Sequence, residues 1–394
     1  MRAPEELKEK KEMRRRALPF ARQGELLRNS ADLSRSIESF DQAIAQDPDY
    51  AWAYAHRGAV RAALGCLRRP AGADPATTPP GALDDLEHAI KLRGGNYHWA
   101  QVQTGEAYRN YVRHNLATLR AQNRFDEIRT CLQKALDAFD VALDPQVTPQ
   151  PSDGWALAHR GATHTLWYVI FRNVQGEPTP EARQHAARGL ADFTQANALV
   201  PHYAWALSFQ AFLLTLIGQD HDHGGVLSEL TATAAYLKAR ELLRLAYEAD
   251  TQHRLPIQRA LAELYNYEQK YAESVQQGWL ALQADPEDYT SRYLVAVGMK
   301  KQKHPLADAL VDVSRQELLN VMTRAKVMLL GLDHAQGRVG VENVLEVLEL
   351  LKKHPSLEAV THFTQESTLE ELRKEFGALL GKHLPDIFTF KATP

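Results

Sequence analysis

The chain has 394 residues and a formal net charge of -3. Its basic residues are scattered rather than gathered into the stripe that a nucleic-acid surface requires, so nucleic acid is not an expected partner. Hydrophobic residues make up 44% of the chain, yet no apolar run approaches the roughly 18 residues of a membrane span, which sets membranes aside as well.

Residues 1 to 16 are a charged segment of both signs, without the apolar stretch of a signal peptide. Cys66 and Cys131 are too few for a disulfide framework and are not spaced as zinc ligands, so a reduced, cytoplasmic compartment is expected. Ala, Leu, Glu, Gln and Arg dominate, and apolar positions recur at intervals of three and four, which predicts helix almost throughout. Glycine and proline cluster at 69–81, 145–154, 175–180 and 220–225, where loops are predicted. Residues 48–65 read PDYAWAYAHRGAVRAALG, residues 155–162 read WALAHRGA, and residues 201–218 read PHYAWALSFQAFLLTLIG. One segment written three times marks a repeat architecture, in which each unit buries its apolar face against its neighbours.

The units follow in order. The first, 17–50, carries small Gly24 and Ser36, large Phe40, then Ala43 and Pro48. The second pairs a helix holding Tyr54, Gly58 and Gly65 with one holding Ala82, Leu86 and Ala89, across an insertion at 66–81. The third sets Gly105 and Tyr108 against Ala135, Phe139 and Ala142. In the fourth, Gly161 faces Gly189, Phe193 and Ala196 across an insertion at 170–185. A fifth runs from Ala204 to Ala239, Leu243 and Ala246. The sixth, 255–288, is regular, with Ala262, Tyr265, Ser274, Ala281 and Pro286. One more helix, Tyr289 to Lys301, opens a seventh.

This succession resembles the tetratricopeptide-repeat family, in the bacterial form whose repeats read "YAWA…RG", and the resemblance covers about residues 17 to 300. It implies an all-α, right-handed solenoid of antiparallel helical hairpins. A small residue on the first helix of each pair lets the second approach, and a large one fills the gap between pairs. A position usually held by Leu carries Arg57 or Arg160 here. The repeat solenoid is placed at 17–301 and a C-terminal helical module at 302–394. There the phase is lost, amphipathic helices are predicted, and Thr368 and Glu371 stand at capping-box spacing. This module serves as a cap on the solenoid or as a separate body.

Trp52, Trp99, Trp155 and Trp205 fall at one position of successive repeats. The resemblance implies that this face of the first helices lines the concave groove where the family's ligands lie. Repeated tryptophans supply contact area and an N–H donor at low entropic cost. The competing role is structural, each ring packing on the preceding helix and pinning one repeat to the last. His56-Arg57 and His159-Arg160 follow at equivalent places. Their arginines meet either a partner's carboxylate or phosphate, or the acids and carbonyls of a neighbouring helix. Groove positions also carry Glu106, Arg109 and Asn110 in the third unit, and Arg259, Glu263, Asn266 and Tyr267 in the sixth. The Lys and Asn set with which the family clamps C-terminal carboxylates is missing.

Asp220 to His223 groups four metal-ligand residue types, but adjacent side chains rarely converge on one ion, so the segment reads as a solvated loop. The chain lacks a Gly-rich phosphate loop, a nucleophile elbow and a His-Glu-x-x-His motif. No catalytic residue, metal or cofactor is therefore assigned, and the chain is not expected to be an enzyme. The expected function is an interaction scaffold or adaptor, with a peptide or helix of a protein partner lying in the groove against Trp52, His56, Trp99, Trp155, His159 and Trp205. The alternative is a regulatory subunit of a bacterial effector or signalling complex (protease, kinase or defence-type) that meets its partner through the inserted loops and C-terminal helices.

Overall fold

The computed structural model describes residues 3–68, 81–144, 153–172, 178–220, 230–251, 254–285 and 288–303. Every regular element among them is an α-helix: α1 (Ala3–Asn29), α2 (Leu33–Gln46), α3 (Ala51–Ala63), α4 (Ala82–Leu92), α5 (His98–Ala121), α6 (Phe125–Leu143), α7 (Gly154–Phe171), α8 (Pro180–Leu199), α9 (Ala204–Gln219), α10 (Ala232–Ala249), α11 (Arg254–Tyr267), α12 (Tyr271–Ala284) and α13 (Tyr289–Lys301). None of these helices is long and apolar enough to cross a membrane. The chain divides into two compact units, with the boundary in sequence between Ala235 and Tyr236, at the first turn of α10. In the first unit α1 packs on α2, α3 on α4, α5 on α6 and α7 on α8, with α9 against α8. In the second, α11 packs on α12 and α12 on α13. The fold is an all-α succession of helical hairpins.

What brings each pair together is the missing or small side chain on its first helix. A Cβ added at Gly24 would lie 2.7 Å from the Phe40 ring, one at Gly58 2.8 Å from Leu86, and one at Gly105 2.6 Å from Phe139. Phe40, Leu86, Phe139 and Phe193 are fully buried, so the ring or branch opposite each glycine has nowhere to retreat. The second helix also ties itself to the first by a hydroxyl. Ser36 Oγ donates to the Gly24 carbonyl at 2.7 Å, and Ser274 Oγ donates to the Ala262 carbonyl at 2.7 Å. Gly105→Ala is therefore expected to destabilise the first unit by about 1–3 kcal/mol through overpacking, with Gly161→Leu in the same range. Denaturant midpoints of the two variants check this.

The helices also extend beyond the bare repeat. α1 is unbroken from Ala3, so the charged segment continues into the first repeat as helix, and Arg14 reaches from it to the Asp47 carboxylate and over the Tyr50 ring at 3.9 Å. Much of the 170–185 insertion becomes the end of α7 and the start of α8, where Pro180 takes the first turn and Thr179 Oγ1 accepts from the Ala182 amide. The 66–81 insertion lies largely outside the described residues, but its two ends are laced together by Ala82 N to Cys66 O at 2.8 Å and Leu83 N to Leu67 O at 3.0 Å. α13 occupies Tyr289–Lys301, the span predicted for the last repeat helix. Beyond Lys303, the C-terminal module with Thr368 and Glu371 lies outside the described residues.

Candidate functional site

The two motif arginines are held inside the chain, in identical ways. Arg57 on α3 grips Asp85 of α4 with two donors, Nε at 2.9 Å and Nη2 at 2.6 Å, and its Nη1 turns back to Asp41 of α2. Arg160 on α7 grips Asp192 of α8 at 2.9 and 2.7 Å and reaches Asp140 of α6 at 2.7 Å. Each guanidinium thus joins the second helix of its own pair to the second helix of the pair before, using the planar fork that carboxylates fit best. Of the two roles open to these arginines, bonding to neighbouring acids is the one the geometry realises. The acids were missed in the sequence, although Phe40-Asp41 and Phe139-Asp140 repeat the signal directly after a buried ring.

The four tryptophans are partly accessible, and they form two stacks. In the first, the His56 imidazole lies between Trp52, 3.7 Å away at 27°, and Trp99, 4.3 Å away at 12°. In the second, His159 meets Trp155 edge-on at 5.4 Å and stacks on Trp205 at 4.5 Å and 19°. Tyr50 and Tyr203 extend the stacks at 5.9 and 6.0 Å. Each histidine therefore sits between the tryptophan of its own repeat and that of the next. The ring contacts stop between the two stacks: Gln103 stands four residues after Trp99, where His56 follows Trp52 and His159 follows Trp155. The rings also do structural work. Trp52 packs edge-on against Phe40 of the preceding hairpin at 6.0 Å, and such pairs contribute about 0.5–1.5 kcal/mol each beyond area burial.

The second stack is closed by two residues of α5. Glu106 Oε1 lies 2.7 Å from His159 Nδ1, Arg109 Nη2 lies 3.0 Å from the same nitrogen, and Arg109 Nη1 donates to the His159 carbonyl at 3.0 Å. One ring nitrogen cannot donate to the carboxylate and accept from the guanidinium together. With the proton on Nδ1, His159 donates to Glu106, and Arg109 is held by the carbonyl and by the Trp205 face 6.0 Å away. Burial lowers the His159 pKa, so the ring is neutral at pH 7. Burial would raise the Glu106 carboxyl, but His159 and Arg109 outweigh it and keep it ionised. Burial likewise lowers Arg109 to about 10, still charged at neutral pH. Arg109 is only 5% exposed, so it fixes the stack from within, while Asn110 beside it is partly exposed.

The remaining predicted residues lie in the second unit, on α11. Arg259 Nε is 3.4 Å from Asp288 Oδ2, and the exposed Tyr267 hydroxyl donates to Glu263 Oε1 at 3.1 Å, with Asn266 partly buried between them in sequence. The solvated-loop expectation for Asp220 is also corrected. Asp220 is fully buried, and its Oδ2 accepts from the Tyr168 hydroxyl at 2.7 Å and from Arg172 at 3.4 Å. His221 to His223 lie outside the described residues.

No protein-family model matches the chain, and no curated protein matches it. Among solved structures, it is similar to Pseudomonas aeruginosa pilF at 12% identity over 72% of this chain and 98% of that one, with a TM-score of 0.44. A tetratricopeptide repeat protein from Parabacteroides merdae is also 12% identical, covering 86% of this chain and 98% of that one, with a TM-score of 0.44. The human IFIT1 dimer with PPP-AAAA is 13% identical over 73% and 69%, with a TM-score of 0.33. Likenesses of this size carry no residue role to this chain.

Proposed function

We propose that the first unit is a protein-interaction scaffold, with a peptide or helix of a partner protein lying against the two Trp–His–Trp stacks. The observation that supports this reading most is the partial exposure of all four tryptophans on rings that the histidines hold rigid. Rigid, partly wet aromatic area is what a partner's apolar side chains cover most favourably, because little side-chain entropy is lost on contact. Glu106 and Arg109 act as positioning residues that lock His159, and through it the faces of Trp155 and Trp205.

Pull-downs from the native host, with the wild type and with Trp52→Ala, Trp155→Ala and Trp205→Ala, test this reading. Partners held by the wild type are expected to be lost or weakened about tenfold or more in each variant, in line with a central aromatic contact. Circular dichroism on the same samples establishes that the helices persist. Equal recovery of every partner by folded variants would move the contact off this face.

A further inference from the structure

The two aromatic stacks are copies of one device, and the copy extends to α1. Gly24-Glu25-Leu26-Leu27-Arg28 precedes Trp52-Ala53-Tyr54-Ala55-His56, as Gly105-Glu106-Ala107-Tyr108-Arg109 precedes Trp155-Ala156-Leu157-Ala158-His159. Gly24 and Gly105 pack alike on Phe40 and Phe139, so the acid and the arginine that follow take the same register on their helices. The outcome confirms the register: the Arg28 guanidinium lies 5.9 Å from the Trp99 ring centre, and that of Arg109 lies 6.0 Å from Trp205.

The copies differ at one point. In the second, a carboxylate fills the space beside the histidine, Glu106 Oε1 being 2.7 Å from His159 Nδ1. In the first, His56 is 6% exposed and its Nδ1 is buried without a hydrogen-bond partner. Arg28, partly exposed, has no carboxylate within ion-pairing distance among the described residues, and Glu25 does not reach His56. A buried polar atom left without a partner is rare, and each such case calls for a group to complete it.

We propose that the first copy is a carboxylate seat, which takes an Asp or Glu side chain of the bound segment in the place that Glu106 fills in the second copy. This rests on the peptide-binding reading of the same face. A carboxylate is the complement of what the seat offers: the Nδ1–H donor of His56 and the guanidinium donors of Arg28, flanked by the indoles of Trp52 and Trp99. Both bonds are charge-assisted, and the indole walls limit competition from water. A lysine in the segment meets repulsion from Arg28 instead. The chain's own Glu106 shows that a single carboxylate, bearing one charge, fits this geometry. One guanidinium beside a neutral imidazole, in a chain of net charge -3, is a poor match for the repeated phosphates of a nucleic acid.

A random linear peptide library, selected on the full chain and in parallel on Arg28→Gln, tests the seat. Peptides selected by the wild type are expected to share an Asp or Glu at one fixed place, and its exchange for Asn or Gln weakens binding by about tenfold to a hundredfold. The Arg28→Gln chain selects no such acid. Arg28 makes no ion pair among the described residues, so the thermal midpoint of this variant is expected to stay near that of the wild type, and circular dichroism confirms that the comparison is between folded proteins. Lack of a fixed acidic position, or its persistence on Arg28→Gln, would overturn the seat. Displacement of the peptides by a single-stranded oligonucleotide, lost in Arg28→Gln, would overturn it in favour of phosphate. Peptides that need Trp52 and Trp205 but not Arg28 sink the seat and leave the aromatic face standing. Peptides indifferent to Trp52→Ala and Trp205→Ala sink the face itself.

Discussion

Asp85→Ala is expected to destabilise the first unit by about 3–5 kcal/mol, the usual cost of leaving a buried charge without its partner. Asp85 is 2% exposed and carries two arginines, accepting twice from Arg57 and once from Arg61, both of them buried. Without it, Arg57 and Arg61, one turn apart on α3, are left buried side by side at the α3–α4 contact, with Asp41 as the nearby acid. That carboxylate is half exposed and already bound to Arg57, so it compensates little. Thermal unfolding followed by circular dichroism should show a fall of roughly 10 °C for a unit of this size. Asp192→Ala in the second copy should cost less, because it strands one arginine rather than two and Arg160 reaches solvent more readily. Replacing Arg57, Arg61 and Asp85 together by apolar residues of similar volume should restore most of the loss, because the penalty arises from the unpaired charge, not from the missing bond. A loss below about 1 kcal/mol for Asp85→Ala would mean that the arginines escape to water.

The hairpins were legible because their cause is local. Gly24, Gly58, Gly105 and Gly161 recur one helix ahead of Phe40, Leu86, Phe139 and Phe193, and small-against-large packing needs little beyond that pairing. The tryptophan register was legible for the same reason. What escaped was the partnership between helices that are not consecutive. Arg57 reads equally well as a ligand contact or a strut until Asp41 and Asp85 are seen to converge on it from helices 16 and 28 residues away in the chain. His56 and His159 look identical in sequence, each within WAxAHRGA. The structure separates them, since the outcome depends on whether an acid from the preceding first helix reaches Nδ1. The break between Trp99 and Trp155 likewise turns on Gln103, a residue that a search for repeated aromatics passes over.

Acidification is expected to weaken the first unit well before its carboxylates titrate, because it contains histidines that burial keeps neutral. His56 is pushed down to about 3 by burial and then by Arg28; His164 to about 3 by burial, His185, Arg160 and Arg188; and His185 to about 4 by burial and Arg188. The last two share a hydrogen bond of 2.8 Å between their Nδ1 atoms, which requires one ring to donate and the other to accept, and His185 stacks on Trp167 at 4.2 Å. All three values lie below the roughly 6.5 of an unfolded histidine. As pH falls, the unfolded chain binds protons first, so stability is fully present above about pH 6.5 and is lost toward pH 3–4. Each histidine contributes a slope of about 1.4 kcal/mol per pH unit in that window. Between pH 6.5 and 5, where Asp and Glu are still ionised, the loss is on the order of 2 kcal/mol per histidine. Five of the six tryptophans lie in the first unit, so urea unfolding followed by their fluorescence reports this unit. His164→Gln/His185→Gln lowers stability at pH 7 by breaking the pair, yet it should flatten the slope between pH 6.5 and 5 by roughly the contribution of two histidines. An unchanged slope in that variant would show that the two rings accept protons in the folded chain as readily as in the unfolded one, which their burial against Trp167 and Arg160 forbids.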